Sequence, residues 1–571
     1  MNKILHKFYY KIALFFSTPR NLAIWTATAL TVPNIVLGVT EDASAIWKVA
    51  NIALPLGIYL LILSSSKKVG KTTLWTFPFM FFAAFQLVLS YLYGESIIAV
   101  DMFLNVVTTN VAEATELLAN LLIAIVTVVV LYVPPIVWGI AATTRKMHLT
   151  SDFRLKLRHG GFTMTIIGAV LSIIATIAPN DGVFHREIFP VNVVENLVEA
   201  VQRTRETARY DETSKDFTYN AISTHHDYER EVYIFVIGET SRAIDWELYG
   251  YDRETNPRLK REPNLVFFPK AISESNTTHK SVPMLMSFAS AETFDSIAHY
   301  KSIITAMKEA GFYTRFYSNQ APNRSYTQFF GNEADDVRYC NFSSKHHPYD
   351  TEMLPWVEDA VADAEHTKQF IVLHSYGSHF LYRDRYPQDF ATFTPDNAID
   401  ANVSHRRDLV NAYDNTIRYT DHFLAETIDI LKKANCQSAL LYSADHGEDI
   451  FDDKRERFLH ASPHPTYYQL HVAMLSWVSD STISRHPDYI PNLKNNAQKF
   501  VSPQKTMFNT AMEIAGVTSP KFTPQQSLVN KQYQPCHEPV YLTDLNTPVT
   551  LEKSGMKEID LENTSKVLNA H

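Results

Sequence analysis

Val232-Tyr-Ile-Phe-Val-Ile-Gly-Glu239-Thr-Ser-Arg242 is an apolar run that stops at a glycine and a carboxylate. Far downstream, Ser438-Ala-Leu-Leu-Tyr-Ser-Ala-Asp445-His446-Gly-Glu448 repeats the pattern, ending in an Asp-His pair. Continuous runs rich in Val, Ile, Leu and Tyr read as strands buried on both faces. In an open α/β sheet, reactive groups collect where such strands deliver their carboxyl ends. Two carboxylates and an imidazole brought to one edge are ligands that zinc accepts. The expectation is therefore a metal-assisted site in an α/β domain.

Working outward, strands and helices alternate from Glu231 onward. Strand candidates are 232–237, 313–317, 369–374, 438–443, 472–477 and 540–542, with helical patterns at 300–310 and 405–434 between them. This alternation argues a mostly parallel sheet covered by helices. Just upstream, Val191, Val194, Leu197, Val198 and Val201 recur at helical spacing. They describe an amphipathic helix that lies on a membrane surface or packs on the following domain.

The 571 residues exceed one ordinary globular unit. The early part runs apolar for bilayer lengths at 21–38, 49–63, 74–93, 118–140 and 161–178, giving five expected membrane helices. Lys3, Lys7, Lys11 and Arg20 precede the first, and Lys67, Lys68 and Lys71 follow the second. Arg145, Lys146, Arg154, Lys156 and Arg158 follow the fourth. The remaining loops are acidic apart from Lys48. The positive-inside rule puts the basic loops in the cytoplasm and the chain after the fifth span outside. The expected division is a transmembrane domain at 1–180, a connector at 181–230 and an external α/β domain at 231–571. The three cysteines, Cys340, Cys436 and Cys536, all fall outside, where one disulfide is allowed. With a formal net charge of −9, no nucleic-acid partner is expected.

Glu239 and Asp445-His446 each admit a plainer reading, a helix-end carboxylate and a turn. Sharing the carboxyl edge of one parallel sheet makes metal ligation the better reading. Thr278, in Asn276-Thr-Thr-His-Lys-Ser281, begins a helical pattern, where Thr277 or Thr278 could be the N-cap. A hydroxyl there also lies beside backbone N–H groups that favour phosphate. Threonine is a poor nucleophile unless a base or metal removes its proton, which zinc at Glu239, Asp445 and His446 would do. His379 and His460 neighbour strand ends and are further candidates, with His374 and His464 as competitors.

These stretches, with Gly377-Ser-His379, Asn411-Ala-Tyr-Asp-Asn-Thr416 and Leu459-His460, occur in the order of a known family. The chain resembles bacterial inner-membrane phosphoethanolamine transferases, whose catalytic domain is of the alkaline phosphatase and sulfatase type. The resemblance implies five membrane helices followed by a periplasmic domain. It implies zinc held by Glu239, Thr278, Asp445 and His446, with Thr278 as the nucleophile. It gives His379 and His460 the phosphoryl group or a second metal, and assistance to the leaving or attacking oxygen. Asn105, Thr109 and Glu113 match the family's contact with the lipid head group; their spacing lies along one helical face. The implied donor is phosphatidylethanolamine, and the implied acceptor is lipid A, the lipopolysaccharide core or another envelope glycan. Lipid A-modifying members flank the nucleophile with a disulfide where Glu274 and Met284 stand here, and some carry a lysine near Asn323 and Arg324. These departures leave the acceptor open. Alternatives are a phosphoglycerol transferase of the same superfamily, or a catalytically inactive membrane-anchored sensor or binding module.

Overall fold

The computed structural model describes residues 14–41, 43–94, 97–108, 121–177, 188–226, 229–341, 348–398 and 400–570. Two compact units emerge, Met1–Phe103 with Leu118–Val201, and Leu104–Leu117 with Gln202–His571.

The first unit is helical. Helices α1 (Pro19–Thr40) and α2 (Ala45–Ser64) are followed by α3 (Val69–Trp75), α4 (Phe77–Tyr93) and α5 (Val100–Thr108). Then come α6 (Leu122–Thr144), α7 (Ser151–Ile177) and α8 (Val191–Ala208). Among the described residues four helices, α1, α2, α6 and α7, are individually long and apolar enough to cross a membrane, and α3 with α4 makes a fifth if counted as one span bent by 49°. The expected single helix over 74–93 is thus interrupted. Pro78, in the first turn of α4, supplies no amide hydrogen, so the hydrogen-bond ladder of α3 does not continue across it. Glycines allow a close contact between α2 and α7. A Cβ on Gly168 of α7 would come within 2.4 Å of the Leu54 backbone nitrogen in α2, and one on Gly57 within 2.4 Å of the Thr165 nitrogen. Small residues allow this approach where lipid supplies no hydrophobic drive between helices. The expected amphipathic helix is α8, in which Asn192, Val193, Asn196 and Ala200 are buried. Its stripe of Val194, Leu197, Val198 and Val201 remains exposed.

The second unit is built on a seven-stranded sheet. Its strands are β1 (Glu231–Gly238), β2 (Leu265–Phe267), β3 (Tyr313–Ser318), β4 (Asp336–Tyr339), β5 (Lys368–His374), β6 (Gln437–Ala444) and β7 (Met474–Val478). The spatial order is β2-β7-β6-β1-β5-β3-β4. Only β7 runs against the others. All residues of β1, β5 and β6 are buried, as their unbroken apolar runs require. Each fully buried Val, Ile or Phe adds roughly 1.5–3 kcal/mol over exposure. Strands β2 and β4 lie at the sheet's edges and are short and partly exposed, so they carry no such run. The expected strand at 540–542 exists but pairs with Pro548–Thr550 outside the main sheet. Among the helices, α9 (Thr278–Leu285) and the long α10 (Arg406–Ala434) bear on the site. The expected helix at 300–310 is shorter, Ile303–Glu309, with Ser302 capping it through the Ile304 amide. All three cysteines are free thiols.

Candidate functional site

Register explains why Glu239 and Asp445 meet. β1 and β6 are parallel neighbours with Gly238 opposite Ala444, so both acids leave the sheet side by side. The Asp445 amide donates to the Gly238 carbonyl at 3.0 Å. The Thr240 amide returns a bond to Asp445 Oδ1 at 3.1 Å, and the His446 amide donates to the same oxygen at 2.8 Å. Thr240 makes this reach with φ of +54°, an uncommon backbone for a β-branched residue. Such strain persists where surrounding contacts over-determine it. Tyr413, in α10, holds the turn by donating to the Thr240 carbonyl at 2.7 Å and accepting from the Arg242 amide at 3.0 Å.

The third arm is α9. Thr277 occupies the N-cap position, its side chain makes no capping bond, and Thr278 is the first helical residue. The Thr278 hydroxyl lies 3.0 Å from His446 Nε2. Ser281 and Ser273 fix the helix to the acidic strand end, both donating to the Asp445 carbonyl, at 2.6 and 2.7 Å. Asn276 closes the turn against the His460 loop. Its amide donates to the Ser462 carbonyl at 2.8 Å and to Gln469 Oε1 at 2.6 Å, and its carbonyl accepts from the Ala461 amide.

The resulting centre is crowded with acceptors. His446 Nδ1 lies 3.0 Å from the Gly447 carbonyl, which can only accept, so Nδ1 carries the hydrogen. In the neutral ring Nε2 then offers a lone pair. It faces Thr278 Oγ1 at 3.0 Å, Asp445 Oδ2 at 3.2 Å and Glu239 Oε1 at 3.6 Å. Asp445 Oδ2 is buried with no hydrogen-bond partner among the described residues. Burial first, and each other's charge besides, push Glu239 upward, and burial does the same to Asp445. Two buried carboxylates, an orphaned oxygen and an oriented imidazole form a donor set that fits a divalent cation such as zinc. Glu239, His446 and His460 also bring one ligand atom each to within 4.8 Å of one another.

His460 sits on a turn in which Leu459 and Ala461 both have positive φ. Its ring centroid is 4.1 Å from that of His446 and 6.5 Å from that of His379. His460 Nδ1 lies 3.2 Å from Glu448 Oε1, while Tyr382 donates to Glu448 Oε2 at 2.8 Å. Burial raises the Glu448 carboxyl and lowers His460, so the pair favours its uncharged form, with a proton shared between them. His379 stacks on Tyr376 with centroids 5.0 Å apart, and its Nδ1 lies 2.9 Å from the Phe380 carbonyl. The competitors lie elsewhere. His374 is buried within β5, 3.2 Å from Ser318 Oγ, and burial pushes it down to about 3. His464 engages Arg457 and Ser462 through its backbone carbonyl.

Glu239, Thr278, Asp445, His446, His379 and His460 are thus brought together. Asn105 lies half-buried in α5, while Thr109 and Glu113 fall outside the described residues. Sequence reasoning gave no role to Glu448, although it ends the quoted Asp445-His-Gly-Glu stretch. It had no signal for Tyr382 or Gln320, which reach the site only through the fold.

The curated relative Kdo(2)-lipid A phosphoethanolamine 7''-transferase of Salmonella typhimurium is 28% identical over 336 residues, 57% of each chain. Matches to the curated relatives span little more than half the length of those proteins. The crystal structure of the C-terminal periplasmic domain of EcEptC from Escherichia coli, a complex with Zn, is 25% identical. It superposes with a TM-score of 0.53, covering 59% of this chain and 96% of that one. The integral membrane protein lipooligosaccharide phosphoethanolamine transferase A (EptA) from Neisseria meningitidis shares the fold across both units. Its TM-score is 0.70 at 19% identity, covering 89% of this chain and 97% of that one. The expected fold, apolar helices followed by an α/β domain of sulfatase type, is the one found. The Sulfatase family profile matches residues 231–517, half of the sequence and all of the site assembled above, and the chain belongs to that family.

Proposed function

We propose that the protein transfers phosphoethanolamine from phosphatidylethanolamine to an envelope glycolipid, with Thr278 as the nucleophile. The observation that carries this reading is the Thr278 hydroxyl 3.0 Å from His446 Nε2, in a centre shared with Glu239 and Asp445. The relatives' names support the transferred group, and the Kdo(2)-lipid A relative supports lipid A or the lipopolysaccharide core as acceptor. The solved EptC domain with Zn supports zinc as the cofactor, held here by Glu239, Thr278, Asp445 and His446. Zinc bound there would lower the pKa of the threonine hydroxyl and offset developing phosphoryl charge.

The chain's own groups divide the remaining work. Thr278 is presented as the first residue of α9, at the helix end whose dipole favours a phosphoryl group. Its oxygen attacks the donor phosphorus and diacylglycerol leaves. A hydroxyl or phosphate of the acceptor then displaces the phosphoethanolamine from Thr278. His460, uncharged with its Nδ1 on the Glu448 proton, carries its own hydrogen on Nε2 and is suited to give it to the leaving oxygen, and His379 to hold the phosphoryl oxygens. In this reading residues 1–180 anchor the protein in the inner membrane, 181–230 connect, and 231–571 work in the periplasm. Asn105, Thr109 and Glu113 contact the donor's head group.

The test supplies labelled phosphatidylethanolamine or phosphatidylglycerol to purified protein and follows the label by mass spectrometry. Transfer from the ethanolamine lipid, with a phosphoethanolamine-sized adduct on the Thr278 peptide, is expected. Thr278→Ala should lose transfer by roughly three orders of magnitude or more while melting like the wild type. Turnover near the wild-type level in that variant would refute the assignment, and exclusive use of the glycerol lipid would replace the donor.

A further inference from the structure

Gln320 reaches the site from a strand that carries none of its proposed ligands. It follows β3, which pairs with β5, which pairs with β1. Its side chain crosses the carboxyl edge of the intervening strand. The amide nitrogen donates to Glu239 Oε2 at 3.0 Å and to the Ser375 carbonyl, just past β5, at 2.9 Å. Both partners are acceptors, so the amide has only one workable orientation and both of its hydrogens are used. The backbone is pinned as well. The Gln320 amide donates to Ser318 Oγ at 3.0 Å, and that hydroxyl is 3.0 Å from the Gln320 carbonyl and 3.2 Å from His374 Nδ1. Ser375 is fixed in turn, its amide and hydroxyl both 3.0 Å from the Ile237 carbonyl in β1.

The two Glu239 oxygens therefore have different duties. Oε2 is engaged by Gln320, while Oε1 accepts from Thr240 Oγ1 at 2.7 Å and faces His446 Nε2 at 3.6 Å. An amide donor on one oxygen favours ligation by the other alone and holds the carboxylate plane in place. Partners of this kind typically change metal affinity by about 10–100-fold when removed.

We propose that Gln320 is a positioning residue that makes Glu239 a single-oxygen ligand and thereby sets the affinity and geometry of the metal centre. This rests on the metal reading given under Proposed function. The test is zinc affinity of the full-length protein in detergent, measured by competition with a chromogenic chelator, together with the visible spectrum of the cobalt(II)-loaded protein. Gln320→Met keeps the volume and removes both donors, and Gln320→Asn retracts the amide from Glu239. Both variants should bind zinc about 10–100-fold more weakly. Their cobalt bands should weaken as Glu239 ligates through both oxygens and the coordination number rises, a change that a loss of packing alone would not produce. Variants that match the wild type in affinity and spectrum would overturn the role of Gln320 and leave the metal reading standing. A wild-type protein that binds neither metal would overturn both.

Discussion

Asp445 illustrates how a site can be costly to the fold that carries it. Its Oδ2 is buried without a hydrogen-bond partner among the described residues, next to Glu239, which is equally enclosed. Burial penalises both charged forms, and no arginine or lysine forms an ion pair with either among the described residues. A cation would relieve both at once. Asp445→Asn is therefore expected to act in opposite directions on two observables. Metal-free, the variant should melt a few degrees higher than the metal-free wild type, because one of two unneutralised carboxylates is gone. That corresponds to about 1–2 kcal/mol. Loaded with zinc, it should gain far less stabilisation than the wild type, because an amide is a poor substitute for a carboxylate ligand. Calorimetric melts with and without zinc separate the two effects. A metal-free variant less stable than wild type would show that Asp445 is held by contacts other than those seen.

The turns at the strand ends are where backbone geometry becomes chemistry. Gly377, just after β5, has φ of +47°, and a Cβ there would come within 2.7 Å of the Glu239 carbonyl oxygen. Its amide donates to Asp350 Oδ2 at 3.0 Å, and that of Tyr376 to Oδ1 at 2.7 Å, so the turn cannot shift freely. Gly377→Ala is expected to cost roughly 1–3 kcal/mol in a thermal melt and to weaken zinc binding by displacing Glu239. Unchanged melting and unchanged zinc affinity would show that the turn can relax. Such turns also mark what could be read from the sequence. β1, β5 and β6 were legible because strands buried on both faces must be apolar throughout, and that pattern needs no partner to interpret. Their ends gave Glu239, Asp445 and His446 by position. Edge strands β2 and β4 were not legible, since a short half-exposed strand has no distinguishing run. The break between α3 and α4 had a local cause in Pro78, but the apolar run across it masked that cause. Gln320 and Tyr382 could not be found at all, because their relevance arises from strand order and loop packing, which no short stretch encodes.

Across the second unit, buried ionisable groups of two kinds pull acid stability in opposite directions. His471 is enclosed between Tyr467 Oη and the Pro269 carbonyl, each 2.8 Å from a ring nitrogen, and burial lowers it from 6.5 to about 4. The unfolded chain then binds more protons there between those values, so stability from this group is complete above about pH 6.5 and is lost as pH falls toward 4. Asp449 is raised from 3.8 to about 7, chiefly by burial, with Thr466 and Gln469 as its neutral partners. Here the folded chain binds more protons, so its stabilising contribution is present at low pH and is lost as pH rises through about 7. The two slopes oppose each other between about pH 4 and 6.5. Single substitutions should separate the two contributions. Relative to wild type, His471→Gln should become less damaging as pH falls from 6.5 to 4, by up to about 3 kcal/mol. Asp449→Asn should become more favourable as pH rises from 4 to 7, by up to about 4 kcal/mol. Denaturant unfolding of each variant at a series of pH values, with chelator present, measures both. Differences that run parallel in the two variants, instead of crossing, would mean that at least one of these groups is not held uncharged by the fold.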